Sequence, residues 1–86
     1  MDPYTVIEHP LSTEKSIRLM ESENKLVFVV NKKATKSDVK KAIEDIYKVK
    51  VVDVRTLVTS QGEKRAYVRF SPETPAVDIA TQLGLI

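Results

Sequence analysis

Residues 35–47 constrain what this chain can fold into more than any other segment. Thr35-Lys36-Ser37-Asp38 has the spacing of a capping box, with aspartate standing where glutamate is usual. In such a box a threonine hydroxyl and a carboxylate three residues later each satisfy a backbone N–H left open at a helix start. Val39, Ala42, Ile43 and Ile46 then fall at i, i+3, i+4 and i+7, the stripe of an amphipathic helix. Lys36 and Lys40 lie on the opposite side, with Lys41 at its flank.

Strand signals surround this helix. Lys25 to Val30 is a six-residue β-rich run between Asn24 and Asn31 and predicts a central strand. Lys50 to Thr59 alternates, with Val52, Val54 and Thr56 facing one way and Asp53, Arg55 and Leu57 the other. Ser60-Gln61-Gly62-Glu63 is a turn signal, and Lys64 to Phe70 is the return strand. Ala66, Val68 and Phe70 point inward there, while Arg65, Tyr67 and Arg69 occupy the other face. At the front, Tyr4-Thr5-Val6-Ile7 predicts an edge strand ended by His9-Pro10. Ser12 or Thr13 caps a short helix to about Ser22, with Ile17 and Met20 inward. Thr74, then Pro75 at the first helical position, begins a last helix striped by Ala76, Ile79, Ala80 and Leu83 and stopped by Gly84.

The order strand-helix-strand-helix-strand-strand-helix predicts an α+β fold, a small sandwich with a mostly antiparallel four-stranded sheet. Helices 35–47 and 12–22 cover one face, and the place of the terminal helix stays open. No repeat or linker interrupts the 86 residues, which suffice for a single domain, 1–86, and not for two cores.

Catalytic chemistry has little to work with. Cysteine is absent, so thiolate metal sites, disulfides and cysteine nucleophiles drop out together. His9 is the only histidine, which leaves a zinc site short of ligands and a nucleophile short of a base. Gly62 and Gly84 are the only glycines, too few for a phosphate-cradling loop. Glu44 and Asp45 are placed as helical partners of Lys40 and Lys41. We therefore expect no catalytic residue, metal, cofactor or small-molecule substrate. Val27-Phe28-Val29-Val30 is among the longest apolar runs, far short of a bilayer span, and the start has no signal-peptide pattern. A soluble, cytoplasmic protein is expected.

Net charge is only +2, but its distribution is uneven. Residues 1–31 hold three Lys/Arg against five Asp/Glu, residues 51–86 hold four of each, and residues 32–50 hold seven lysines against three acids. Lys32, Lys33, Lys36 and Lys40 thus gather at a helix start, where backbone N–H groups also favour phosphate. Arg55, Arg65, Tyr67 and Arg69 form a second, sheet-borne set, arginine offering a forked phosphate donor and tyrosine a stacking surface. Residues 63–70, Glu-Lys-Arg-Ala-Tyr-Val-Arg-Phe, fit only the second half of an RNA-recognition-motif octamer, and Arg65 stands where a stacking aromatic belongs. Three readings follow: a structural RNA-binding protein, a small α+β module for a metabolite or protein, and an RRM-like single-strand binder.

The segments in order resemble the large-subunit ribosomal protein twenty-three family. Val6-Ile7-Glu8-His9-Pro10-Leu11-Ser12-Thr13-Glu14-Lys15-Ser16 is similar to that family's opening. Ala34-Thr35-Lys36, Val49-Lys50-Val51 and Arg55-Thr56-Leu57 are similar to its middle, and Lys64 to Phe70 to its closing strand. The resemblance implies binding to domain III of large-subunit ribosomal RNA beside the nascent-chain exit, among neighbouring ribosomal proteins. It also implies a docking point for exit-site factors such as signal recognition particle. Carried over by position, Thr13, Lys15, Lys36, Arg55, Lys64 and Arg65 are RNA contacts, and Glu14 is the docking residue. Lys33, Lys40 and Arg69 join the RNA set from the charge pattern. The connection Thr59 to Glu63 is too short for the long basic hairpin of bacterial relatives, so this chain resembles an archaeal-type member without a tunnel-sensing loop.

Overall fold

The computed structural model describes residues 2–85. Its elements are α1 (Pro3–Val6), β1 (Ile7–Pro10), α2 (Glu14–Glu23), β2 (Lys25–Val30), α3 (Lys36–Tyr47), β3 (Val51–Val58), β4 (Lys64–Phe70) and α4 (Ala76–Gln82). The four strands form one sheet in the order β1-β2-β4-β3, every neighbouring pair antiparallel. The expected α+β class and element order hold, with one helical turn added in front.

That added turn is the first departure from expectation. Tyr4 to Val6 are helical, and the edge strand begins at Ile7 and runs through His9 to Pro10. Asp2 accounts for this: its carboxylate accepts the Tyr4 N–H at 2.9 Å, and Pro3 brings a φ suited to a helix start. These cap signals outweigh the β preference of Tyr-Thr-Val. β1 tolerates its proline because it lies at the sheet edge.

The interior follows the predicted periodicities. Val39, Ala42 and Ile43 of α3 pack with Leu26, Phe28 and Val30 of β2 and with Ala66, Val68 and Phe70 of β4. Burying each large side chain of this set contributes roughly 1.5–3 kcal/mol. Met20 of α2, Val6 of α1 and Ala76, Ile79 and Ala80 of α4 join the same core. All four helices therefore cover one face of the sheet, which settles the position of α4: it packs on α2 and β2.

Two side-chain placements do not hold. Ile17 is 40% exposed, and Ser16 is buried in its place. The Ser16 hydroxyl closes the α2 capping box with Thr13 and also donates to the Leu11 carbonyl, which turns that side of the helix toward the sheet. In β3, Val51 and Val54 are buried while Val52 is 53% exposed. The ladder to β4 slips between Val51 and Asp53, so two β3 residues oppose one step of β4. This bulge resets the alternation by one residue.

Candidate nucleic-acid interface

With every helix on one side, the other face of the sheet is open. Register places its residues. Asp53 and Lys25 flank Arg69, Arg55 and Val27 flank Tyr67, and Leu57 and Val29 flank Arg65, with His9 beyond Val29. Val27 and Val29 are each only 4% exposed although no helix covers them. Their β4 partners are Tyr67 and Arg65, side chains long enough to shelter apolar neighbours while a polar end stays wet.

The open face thus combines three arginines, a lysine and a partly exposed tyrosine on adjacent strands. Not all of these charges are equally available. Arg65 donates through Nε to Glu63 Oε1 at 2.8 Å, and this bond holds the guanidinium pKa above its ordinary value. Arg55 stands 3.5 Å from Asp53, and Lys25 stands 3.2 Å from Glu23. Arg69 is exposed and forms no ion pair among the described residues. Tyr67, directly opposite Arg55, serves as a cross-strand packing partner and still offers part of its ring to solvent.

The second set of cations surrounds the start of α3. The capping box forms as predicted: Thr35 Oγ1 accepts the Asp38 N–H at 3.2 Å, and Asp38 Oδ2 accepts the Thr35 N–H at 3.0 Å. The backbone bond from Thr35, then its hydroxyl, holds the Asp38 carboxyl below the usual aspartate range. Lys33, Lys36 and Lys40 are exposed. Lys36 and Lys40 line a groove with Ser37 against Val52, Asp53 and Val54 of β3, and so reach toward the sheet edge that also carries Arg55. Lys32, which the sequence groups with the lysines before α3, reaches the β3–β4 turn: its Nζ lies 3.4 Å from where a Cβ on Gly62 would stand. Lys32 and Lys64 also line an open cleft with Glu8, His9 and Gln61 at that end of the sheet.

The remaining predicted residues divide by role. Lys64 donates to the Ala34 carbonyl at 2.6 Å, so its ammonium is engaged in tying β4 to the loop before α3. Thr13 is the α2 cap, its hydroxyl accepting the Ser16 N–H at 3.1 Å. Glu14 and Lys15 are exposed in the first turn of α2, in the helical layer rather than on the open face. The structure brings Arg55, Arg65 and Arg69 together, sets Lys33, Lys36 and Lys40 beside them around the start of α3, and leaves Thr13, Glu14 and Lys15 apart. Lys25 and His9 belong to the open face and had no signal in sequence beyond their type, because only the strand register brings them there.

The chain matches the family model for ribosomal protein L23 over residues 5–78. It is 46% identical over 85 residues to the large ribosomal subunit protein uL23 of Methanococcus aeolicus, the match covering 99% of each chain. A relative matched end to end at this length has no room for a long inserted hairpin either, in keeping with the short β3–β4 connection.

Proposed function

The chain belongs to the ribosomal protein L23 family, and from that premise we propose that it grips large-subunit RNA with its open sheet face and the start of α3. It is a structural constituent of the large ribosomal subunit in the cytoplasm, with ribosomal RNA and other ribosomal proteins as partners. A structural rather than catalytic role follows from the family.

One observation carries the finer reading: four helices crowd one side of the sheet and leave Arg55, Arg65, Tyr67 and Arg69 on the bare side. A helix-free face of this kind matches the need of RNA binding, which draws affinity from phosphate neutralisation and specificity from shape. Lys33, Lys36 and Lys40 extend the contact around the sheet edge, and the whole of 1–86 acts as one RNA-binding domain. The target is domain III near the nascent-chain exit. Thr13 and Lys15, on the helical side, contact RNA at a separate point, with Lys64 chiefly bracing the loop before α3. Glu14, exposed and on the side opposite the arginines, leaves the ribosome surface available for signal recognition particle or another exit-site factor.

The double variant Lys36→Glu plus Arg55→Glu tests this. Both side chains are exposed, so the fold should survive. Filter binding to a domain III fragment should weaken, and the slope of log affinity against log salt should shrink by about 2, one for each lost phosphate contact. An unchanged slope counts against the interface. If Tyr67→Ala alone removed most of the affinity, stacking on an unpaired base would be the main contact instead.

A further inference from the structure

The two edges of the sheet are built differently. β1 has four residues, slips register between Ile7 and His9, and ends in Pro10, which has no N–H to offer. Short length, a bulge and a proline are the standard means of preventing a further strand from pairing. β3 has eight residues and no proline, and among the described residues it pairs only with β4. Its one bulge is confined to the start, where the Val51 N–H is taken by Glu44 Oε2 at 3.1 Å. Beyond the bulge the ladder to β4 is regular from Asp53 to Val58. Leu57 and Val58, at its far end, are 45% and 64% exposed.

We propose that β3 is a docking edge for an extended acidic segment of a partner protein, which adds to the sheet as a fifth strand. The backbone edge supplies the hydrogen bonds, and Leu57 and Val58 supply an apolar contact. Charge selects the partner. Lys36 and Lys40 flank the groove beside Val52–Val54, and Arg55 lies on the strand itself, while the acid of the groove, Asp53, is held by Arg55 at 3.5 Å. Carboxylates on the incoming strand would meet the two lysines. A second copy of this chain fits poorly, because its β3 brings a single acid, Asp53, which stands 3.5 Å from Arg55 of the same strand, and so offers the lysines no free carboxylate. RNA cannot supply the strand-like alternation of donors and acceptors, and it has no use for the exposed valine and leucine. The inference stands apart from the RNA reading but shares Lys36 and Lys40 with it, so the segment and RNA compete there.

Three labelled peptides of equal length test the proposal by fluorescence anisotropy, with amide hydrogen exchange as a second readout. One alternates valine and glutamate, one valine and lysine, and one proline and glutamate. The valine–glutamate peptide should bind at least about tenfold tighter than either other and slow exchange within residues 52–58. Lys36→Glu plus Lys40→Glu, and separately Val58→Ser, should each weaken it; both change exposed side chains and leave the core untouched. Equal binding of the proline–glutamate peptide would reduce the effect to charge attraction and overturn the proposal. It would equally be overturned if the chain alone sedimented as a dimer with its β3 amides protected from exchange, or if a domain III RNA fragment protected the β3 amides and the peptide did not.

Discussion

Among the described residues, the side chain of Asn24 makes more hydrogen bonds than any other. It caps α2 with φ 57, in the left-handed region that asparagine tolerates better than most residues. Its Nδ2 donates to the carbonyls of Phe70, Ser71 and Thr74, and its Oδ1 accepts the Ala76 N–H at 2.6 Å. The side chain thus ends one helix, begins another and closes the end of β4. Asn24→Ala should cost about 2–3 kcal/mol in urea unfolding, since several partly buried backbone groups lose their partner at once. A loss below about 0.5 kcal/mol would show that water replaces those bonds freely. Asp38 gives a pH-dependent counterpart. Its folded pKa lies below the usual 3.8, so the unfolded chain binds more protons near that pH. The stability it lends is full above about the usual carboxylate range and fades as pH falls through the lowered value. Asp38→Asn should therefore flatten the acid limb of a stability–pH profile while leaving the neutral region parallel to wild type. Asn24 itself was legible only as a boundary mark beside a strand, because its partners lie 46–52 residues away and no local pattern announces them.

At the scale of elements, α3 was the most legible, since its signals are local: a cap three residues wide and a stripe of period 3.6. Thr35→Ala should cost about 1 kcal/mol through the loss of the cap, read from the same unfolding curves. The β2 and β4 strands were equally plain, as short β-rich runs between turn residues. Each misplacement traces to one competing interaction, local in two cases and distant in sequence in the others. Asp2 and Pro3 turned a β-rich tetrad into a helical turn, Ser16 rotated α2 away from Ile17, and Pro75 rather than Thr74 occupies the cap of α4 because Asn24 supplies the missing acceptor. The β3 bulge is the clearest case. Nothing in Val51-Val52-Asp53 distinguishes which valine turns inward until β4 is laid beside it. The site divides the same way. Arg55, Arg65 and Arg69 share a face by the alternation of one hairpin, which sequence shows, whereas Lys25, His9 and the Lys32 contact depend on register across strands distant in sequence.

The whole molecule is a one-sided sandwich, and this asymmetry divides its work. Stability resides on the helical side, where Phe28 and Phe70 are fully buried. Phe28→Ala should cost roughly 3–5 kcal/mol, enough to unfold much of a domain this small. The proposed RNA contact resides mainly on the bare side and around the start of α3, where exposed arginines and lysines can change with little effect on folding. The most direct test of that division is a titration of the isotope-labelled protein with a domain III RNA fragment, followed by amide and arginine side-chain resonances. The account predicts that the shifts gather at Arg55, Arg65, Tyr67, Arg69 and the first turns of α3, with the packed face of α4 silent. Shifts centred on α2 and α4, with the open sheet face unmoved, would contradict it.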